Sequence, residues 1–356
     1  MTRTVFAGTL PIGGGSRVSL QSMTNTDTRD VDATTEQILR LEAAGCELIR
    51  SSVYDAACAE AFSRIRPKIH IPIAADIHFD YRLAVLALEN GADKIRFNPG
   101  NIGDIKRVAL LADCAKAHHA AIRVGVNGGS LDKHMTTLYP NDRVEAMVQS
   151  ALQHIRLLED CGFYDIVVSL KASSVADTVK ACRRMHSLCD YPLHLGVTET
   201  GTVDMGIVKS SIGIGALLLD GIGDTLRVSL SCDPVEEVKA GLSILRALNL
   251  RKDDVEIISC PTCGRTRVDL FSAVDYVSKN VRRNAGYLKI AVMGCAVNGP
   301  GEARGADLGI AFGDGNGVLF ENGQIVCSGE AQAMLRRLTE TANMRLGTIV
   351  DGSTNS

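Results

Sequence analysis

Gly45-Cys-Glu-Leu-Ile-Arg50, Gly91-Ala-Asp-Lys-Ile-Arg96, Gly162-Phe-Tyr-Asp-Ile-Val167 and Gly223-Asp-Thr-Leu-Arg227 are four versions of one junction. In each, a Gly follows a helix-period segment and an acidic residue precedes an apolar run. Gly ends a helix in the left-handed conformation at no steric cost, so the junction reads as helix to strand. Working outward from these four, eight strand-length runs alternate with helical segments: Val18–Met23, Glu47–Ser52, Ile69–Ala75, Lys94–Asn98, Ala121–Val126, Asp165–Lys171, Leu193–Thr198 and Thr225–Ser231. Continuous apolar strands separated by helices mean a parallel sheet covered by helices. Eight βα units over about 230 residues match an α/β fold of the eight-stranded parallel (β/α)8 TIM type. An open doubly wound sheet would carry a Gly-rich fingerprint after its first strand. Here Gly13-Gly14-Gly15 precedes that strand.

Leu248–Asp254, with Arg251-Lys252-Asp253-Asp254, reads as a polar linker between a barrel over 1–247 and a small α+β domain over 254–356. In the latter, strands are expected at Val255–Ser259, Leu288–Met293, Leu308–Phe312, Gly317–Phe320 and Gln324–Cys327, with helices near Asp269–Val281 and Glu330–Asn343. Asn322-Gly323 is a hairpin signal. The chain of 356 residues is long enough for both units. Its net charge of −3 gives no global field toward nucleic acid or acidic lipid, so any anion site must be local. Trp is absent, which argues against stacking platforms for bases. No signal-peptide core or bilayer-length apolar run is present, so a cytoplasmic protein with reduced cysteines is expected.

Arg50, Arg96, Arg123, Lys171 and Arg227 fall within or at the ends of strands two, four, five, six and eight. Charged residues in barrel strands point into the mouth, where active sites of this fold gather. Period-two alternation puts Asn98 with Arg96, Asn127 with Arg123, Ser169 with Lys171 and Ser229 with Arg227. Cations with amide and hydroxyl donors converging on one pocket suit a phosphate or diphosphate. The plainer reading is a set of interior cations paired with acids such as Asp76 and Glu199. Glu199, just past strand seven, reads as a general acid/base or as an ion-pair partner. His78 and His194 read as core or supporting residues.

Four cysteines lie in the small domain: Cys260, Cys263, Cys295 and Cys327. Cys260-Pro-Thr-Cys263 sits between a strand and a helix, where two thiolates can grip one metal centre and a helix N-terminus favours the thiolate. Cys295 opens the tight loop Asn298-Gly-Pro-Gly-Glu302, which can turn Glu302 back toward its sulfur. All eight histidines lie at or before His194, which excludes mixed Cys/His zinc fingers. Cys-only zinc, an iron–sulfur cluster with three or four protein ligands, and an unmetallated redox pair with Cys295 buried all stay open.

Seven motifs together resemble the 4-hydroxy-3-methylbut-2-enyl diphosphate synthase family of the methylerythritol phosphate pathway. They are Gln21-Ser-Met-Thr24, Ile95-Arg-Phe-Asn-Pro-Gly-Asn101, Ile122-Arg-Val-Gly-Val-Asn127, Leu195-Gly-Val-Thr-Glu199, Arg227-Val-Ser-Leu230, Ser259-Cys-Pro-Thr-Cys-Gly264 and Gly294-Cys-Ala-Val-Asn-Gly-Pro-Gly-Glu302. They run in order through both domains, and the length resembles the bacterial two-domain form. The resemblance implies reductive opening and dehydration of methylerythritol cyclodiphosphate to hydroxymethylbutenyl diphosphate. It implies a [4Fe–4S] cluster held by Cys260, Cys263, Cys295 and Glu302, leaving Cys327 out, with Glu302 a displaceable ligand that opens one iron. A diphosphate substrate explains the cations, so Arg50, Arg96, Asn98, Arg123, Asn127, Lys171 and Ser229 are expected as substrate ligands and Glu199 as a catalytic candidate; the electron donor would be flavodoxin or ferredoxin. A linker of about seven residues spans at most roughly 25 Å and leaves the bottom of the barrel, opposite the mouth. A head-to-tail homodimer is therefore expected, and the resemblance points the same way. Competing readings are a non-redox barrel transferase of the pterin-synthase kind with a structural zinc domain, and an iron–sulfur sensor without turnover.

Overall fold

The acidic residue of the repeated junction has a structural task. Glu47, Asp93 and Asp224 accept the backbone N–H of Leu20, Ile73 and Leu193 at 2.9, 2.9 and 2.8 Å. Each carboxylate thus ties the start of its own strand to the start of a neighbouring one. The four junction glycines have φ between +64° and +119°, the left-handed region their position demands. The computed structural model describes residues 1–77, 80–97, 105–131, 133–283, 285–295, 301, 303 and 305–352, the last five through their backbone alone. Two compact units emerge, Met1–Leu250 and Arg251–Ser356.

In the first unit, a hairpin of β1 (Val5–Ala7) and β2 (Leu10–Ile12) precedes eight parallel strands. These are β3 (Ser19–Met23), β4 (Leu48–Ser52), β5 (Ile73–Asp76), β6 (Lys94–Arg96), β7 (Ala121–Asn127), β8 (Ile166–Lys171), β9 (His194–Leu195) and β10 (Thr225–Leu226). Their order is β8-β7-β6-β5-β4-β3-β10-β9. A parallel bridge from Val168 to Leu193 joins β8 to the entry of β9 and completes the ring. The sheet is thus the expected eight-stranded barrel, with β9 and β10 cut to two residues each. After Leu195 and Leu226 only single bonds continue the ladders, Arg227 N–H to Leu195 O and Thr198 N–H to Ala172 O, before the chain bends at Glu199, φ +55°.

Outward residues such as Ile49, Ile95, Ile122 and Leu170 pack under the helices in the main core. Asp30, Asp55, Asp142, Ser174 and Asp233 cap helix N-termini, each accepting one N–H of the first turn. Inward residues of the lower barrel, Leu48, Ala74, Ala121 and Val167, meet Val5, Ala7 and Ile12 of the N-terminal hairpin, which plugs the bottom.

The second unit is a five-stranded sheet ordered β11 (Val255–Ser259), β12 (Leu288–Met293), β13 (Leu308–Phe312), β14 (Asn316–Glu321) and β15 (Gln324–Glu330). The first three run parallel and the last two antiparallel. Asn322 and Gly323, both at positive φ, form the β14–β15 turn. Helix Leu270–Asn280 and the C-terminal helix Ala331–Gly352 cover one face through Val277, Leu335, Leu338 and Leu346. The C-terminal helix runs past the expected Asn343. Among the described residues no helix is long and apolar enough to cross a membrane.

Candidate functional site

Strand alternation sends one residue in two into the barrel. On β7 these are Arg123, Gly125 and Asn127, on β8 Ser169 and Lys171, and on β6 Arg96. Arg50 from β4, Asp76 from β5, and Thr198, Arg227 and Ser229 from the ends of the last two strands join them. Together they line one pocket of about 170 Å³ toward the carboxyl ends of the strands. The structure therefore brings together Arg50, Arg96, Arg123, Asn127, Lys171 and Ser229. Asn98, Glu302 and His78 lie outside the described residues. Glu199 is exposed and close to Gly129, in the turn after β7.

The cations are held, not loose. Asp76 stands between Arg50 and Arg96, 3.6 Å from one guanidinium and 3.5 Å from the other. Glu237, buried in the first turn of helix Pro234–Ala247, takes Arg227 at 3.3 Å and the Leu230 N–H at 2.9 Å. The Met23 sulfur accepts from Arg50 at 2.8 Å and Arg227 at 3.5 Å, a neutral spacer between two cations. Burial, then the neighbouring guanidiniums of Arg123, Arg227, Arg50 and Arg96, pushes the Lys171 ammonium well below its ordinary value. Guanidinium groups keep their proton in proteins, so the lysine bears that effect. Five cations with hydroxyl and amide donors against two carboxylates make a cradle for a multiply charged anion.

Sequence reasoning missed Glu237 and two glycines. A Cβ at Gly125 would lie 3.1 Å from Ser169 Oγ and 3.2 Å from Arg96 Nε; one at Gly196 would lie 2.7 Å from Lys171 Nζ. Glu237 follows the capped start Asp233-Pro234, and its pattern is that of any helix-start acid. Nothing in sequence separates it from Glu236.

In the second unit, Ser259 pairs with Val292, so Cys260 and Gly294-Cys295 leave neighbouring strands at the same end. The Cys260 sulfur accepts the Gly294 N–H at 3.3 Å. Cys263 follows in the same turn, and the Arg265 N–H and then its guanidinium hold that thiol below its ordinary value. Cys327 lies on β15, at the other edge of the sheet, with its sulfur against Met334. Among the described residues no three Cys, His, Asp or Glu side chains already surround a single metal-ion position. A groove of about 720 Å³ runs beside Cys260 and Thr262, walled by Leu270 and Phe271.

Comparison with known proteins accords with this geometry. Residues 2–242 match the family model described as the GcpE TIM-barrel domain, and 256–344 match the GcpE protein C-terminal domain. The 4-hydroxy-3-methylbut-2-en-1-yl diphosphate synthase (flavodoxin) of Fusobacterium nucleatum is 54% identical, over 91% of this chain and 92% of that protein. The enzyme of the same name from Lawsonia intracellularis is 53% identical, over 94% and 93%. Among solved structures, dihydropteroate synthase from Stenotrophomonas maltophilia aligns with TM-score 0.51 at 16% identity, covering 66% of this chain and 92% of that one. Dihydropteroate synthase from Yersinia pestis, in a sulfonamide complex, aligns with TM-score 0.51 at 13% identity, covering 70% and 100%. That likeness is one of barrel fold alone. With both family models matched in order and relatives of this identity along nearly the whole length, the chain belongs to the GcpE family, that of the 4-hydroxy-3-methylbut-2-en-1-yl diphosphate synthases.

Proposed function

We propose that this chain reductively opens and dehydrates methylerythritol cyclodiphosphate to hydroxymethylbutenyl diphosphate, with flavodoxin, or else ferredoxin, as electron donor. The observation that carries the reading is the pocket in which Arg50, Arg96, Arg123, Lys171 and Arg227 converge. In a cyclic diphosphate each phosphorus bears one ester oxygen and the shared anhydride oxygen, which leaves one negative charge apiece. Opening the ring turns one of them into a terminal phosphate of higher charge. A preorganised cation cradle favours that developing charge over the closed ring, which is the direction catalysis needs. Ser229, Asn127 and Asn98 are assigned to hydrogen bonds that fix the diphosphate's orientation, and Glu199 at the rim to proton transfer.

Cys260, Cys263, Cys295 and Glu302 are proposed to hold a [4Fe–4S] cluster. The donor set fits: two cysteines flank one turn, the third leaves the adjacent strand, and an N–H already reaches the Cys260 sulfur. A thiol biased toward thiolate at Cys263 suits a soft metal centre. When bound, such a cluster supplies the two electrons one at a time.

The protein is further proposed to act as a head-to-tail homodimer in the cytoplasm. Glu237, in the first turn of the last barrel helix, reaches the pocket, so Ala247 at that helix's other end lies toward the barrel bottom. The short linker therefore starts from the wrong end to serve its own mouth. Helix Val203–Leu219 also leaves Met205, Val208 and Ile212 exposed on one face, a face suited to a second copy.

The test is anaerobic purification. The protein should be brown, hold about four iron and four sulfide per chain, and convert the cyclodiphosphate under reduced flavodoxin. Zinc without visible absorbance would support the transferase reading instead. A cluster with no turnover would support a sensor.

A further inference from the structure

Beneath the cation pocket the barrel stays polar for one more layer before the hairpin plug. Ser19, His194 and Thr225 pair across β3, β10 and β9, and Gln21 follows two residues after Ser19 on the same face. Lys94 is two residues before Arg96 on the inward face of β6 and pairs with Ala74 and Ala121, both of which touch the plug. All five polar side chains are at most 2% exposed. Among the described residues, the hydroxyls of Ser19 and Thr225, both amide atoms of Gln21, Lys94 Nζ and both ring nitrogens of His194 have no hydrogen-bond partner. Buried polar atoms are nearly always bonded, so an unpaired group of this size in one interior marks a site that has work outside ordinary packing.

The charges around this layer are one-sided. Lys94 feels Arg123 and Arg50; His194 feels Lys171, Arg123, Lys94 and Arg50. The carboxylates near the mouth are committed, Asp76 to Arg50 and Arg96 and Glu237 to Arg227. Those at the lower rim are committed too. Glu47 holds Arg17 and the Leu20 N–H, Asp93 holds Arg66 and the Ile73 N–H, and Asp224 holds Thr2 and the Leu193 N–H. The hairpin residues facing the layer, Val5, Ala7 and Ile12, are apolar. No described carboxylate bonds Lys94 or His194.

We propose that Lys94 and His194 form a proton store under the anion pocket, filled when a diphosphate enters and emptied when it leaves. With the pocket empty, the four guanidiniums above a dry interior oppose further positive charge. Burial first, and those cations second, then hold Lys94, His194 and Lys171 well below their ordinary protonation range. An anion of two charges placed among the guanidiniums offsets that field. The side chains able to respond are the ammonium and imidazole groups, since guanidiniums are charged throughout. The inference rests on the proposed diphosphate substrate and deepens it. It makes substrate binding a proton-uptake step, in a reaction whose departing hydroxyl must leave as water.

Linkage sets the sign: uptake of about one proton on binding makes affinity fall about tenfold per unit rise in pH between the free and bound titration ranges. The cyclodiphosphate has no ionisation of its own near neutrality, because each phosphorus, joined by one ester and one anhydride link, keeps a single strongly acidic oxygen. Calorimetric titration of the full-length protein with methylerythritol cyclodiphosphate, without reductant, is done at pH 7.5 in buffers of different ionisation heat. The apparent heat should vary with buffer in proportion to about one proton taken up. Lys94→Met and His194→Gln should each lower that uptake and flatten the fall of affinity with pH. Arg96→Ala should weaken binding while leaving the proton count as it is. A wild-type heat independent of buffer overturns the proton store, as does unchanged uptake in both Lys94→Met and His194→Gln. The wild-type result needs no variant to fold. If the cyclodiphosphate gives no binding at all, the diphosphate pocket itself is wrong and this inference falls with it.

Discussion

Gly196 does as much to shape the cation pocket as any of the cations. A methyl group there would press on the Lys171 ammonium and on the Arg227 carbonyl, both at 2.7 Å. Lys171 can swing aside but the Arg227 carbonyl is backbone, so Gly196→Ala should both displace Lys171 from the anion and strain the β9–β10 seam. The expected result is a KM for the cyclodiphosphate raised about 10-fold or more, the loss of one charge-assisted bond, together with a lowered melting temperature. Steady-state kinetics beside a melting curve would show it, and an unchanged KM would remove Lys171 from the binding set. The cations were legible in the sequence because period-two alternation fixes which strand residues share a face. The glycine's role was not. Residues 171, 196 and 227 become neighbours only in the finished ring, and spacing along the chain carries no trace of that. The same holds for Glu237, whose grip on Arg227 crosses from a helix into the barrel.

Between residue and fold lies the N-terminal hairpin. Its strands are three residues each, too short for alternation to declare itself, so no strand was expected before Val18. Ile12 is fully buried against the lower barrel. Ile12→Ala should therefore cost about 2–5 kcal/mol, as for other core truncations, read as a lower urea midpoint with an unchanged slope. A loss below about 1 kcal/mol would mean that the plug is dispensable. Elsewhere the elements followed their signals closely. Asn322-Gly323 gave its hairpin, and β11, β12 and β13 matched their expected ends. Gly347, Thr348, Ile349 and Val350 are weak helix formers, yet the C-terminal helix runs through them past its expected end. Packing overrides that propensity: Leu346 is fully buried in the second core.

Each unit has a main hydrophobic core of its own. The proposed dimer makes a specific demand on chains damaged in one unit only. A Cys263→Ser chain and a Lys171→Ala chain, each nearly inactive alone, should regain part of the activity when mixed under conditions that exchange subunits. In a shared-site dimer, one hybrid site joins an intact barrel to an intact cluster unit. No recovery despite demonstrated exchange would mean that each chain serves itself. The whole-molecule architecture was legible because eight βα units and a cysteine-bearing tail each left a periodic or spaced signal. The expectation of two copies rests instead on the length and starting point of the linker. The ring itself has one further consequence. Its first strand, β3, pairs with its last, β10. A nascent chain on the ribosome therefore presents β3 long before its partner has been made. Until residues near 226 emerge, the growing sheet carries unpaired strand edges, the surfaces most prone to wrong pairing. Chaperone capture during synthesis should concentrate in that window and end when the last strand docks.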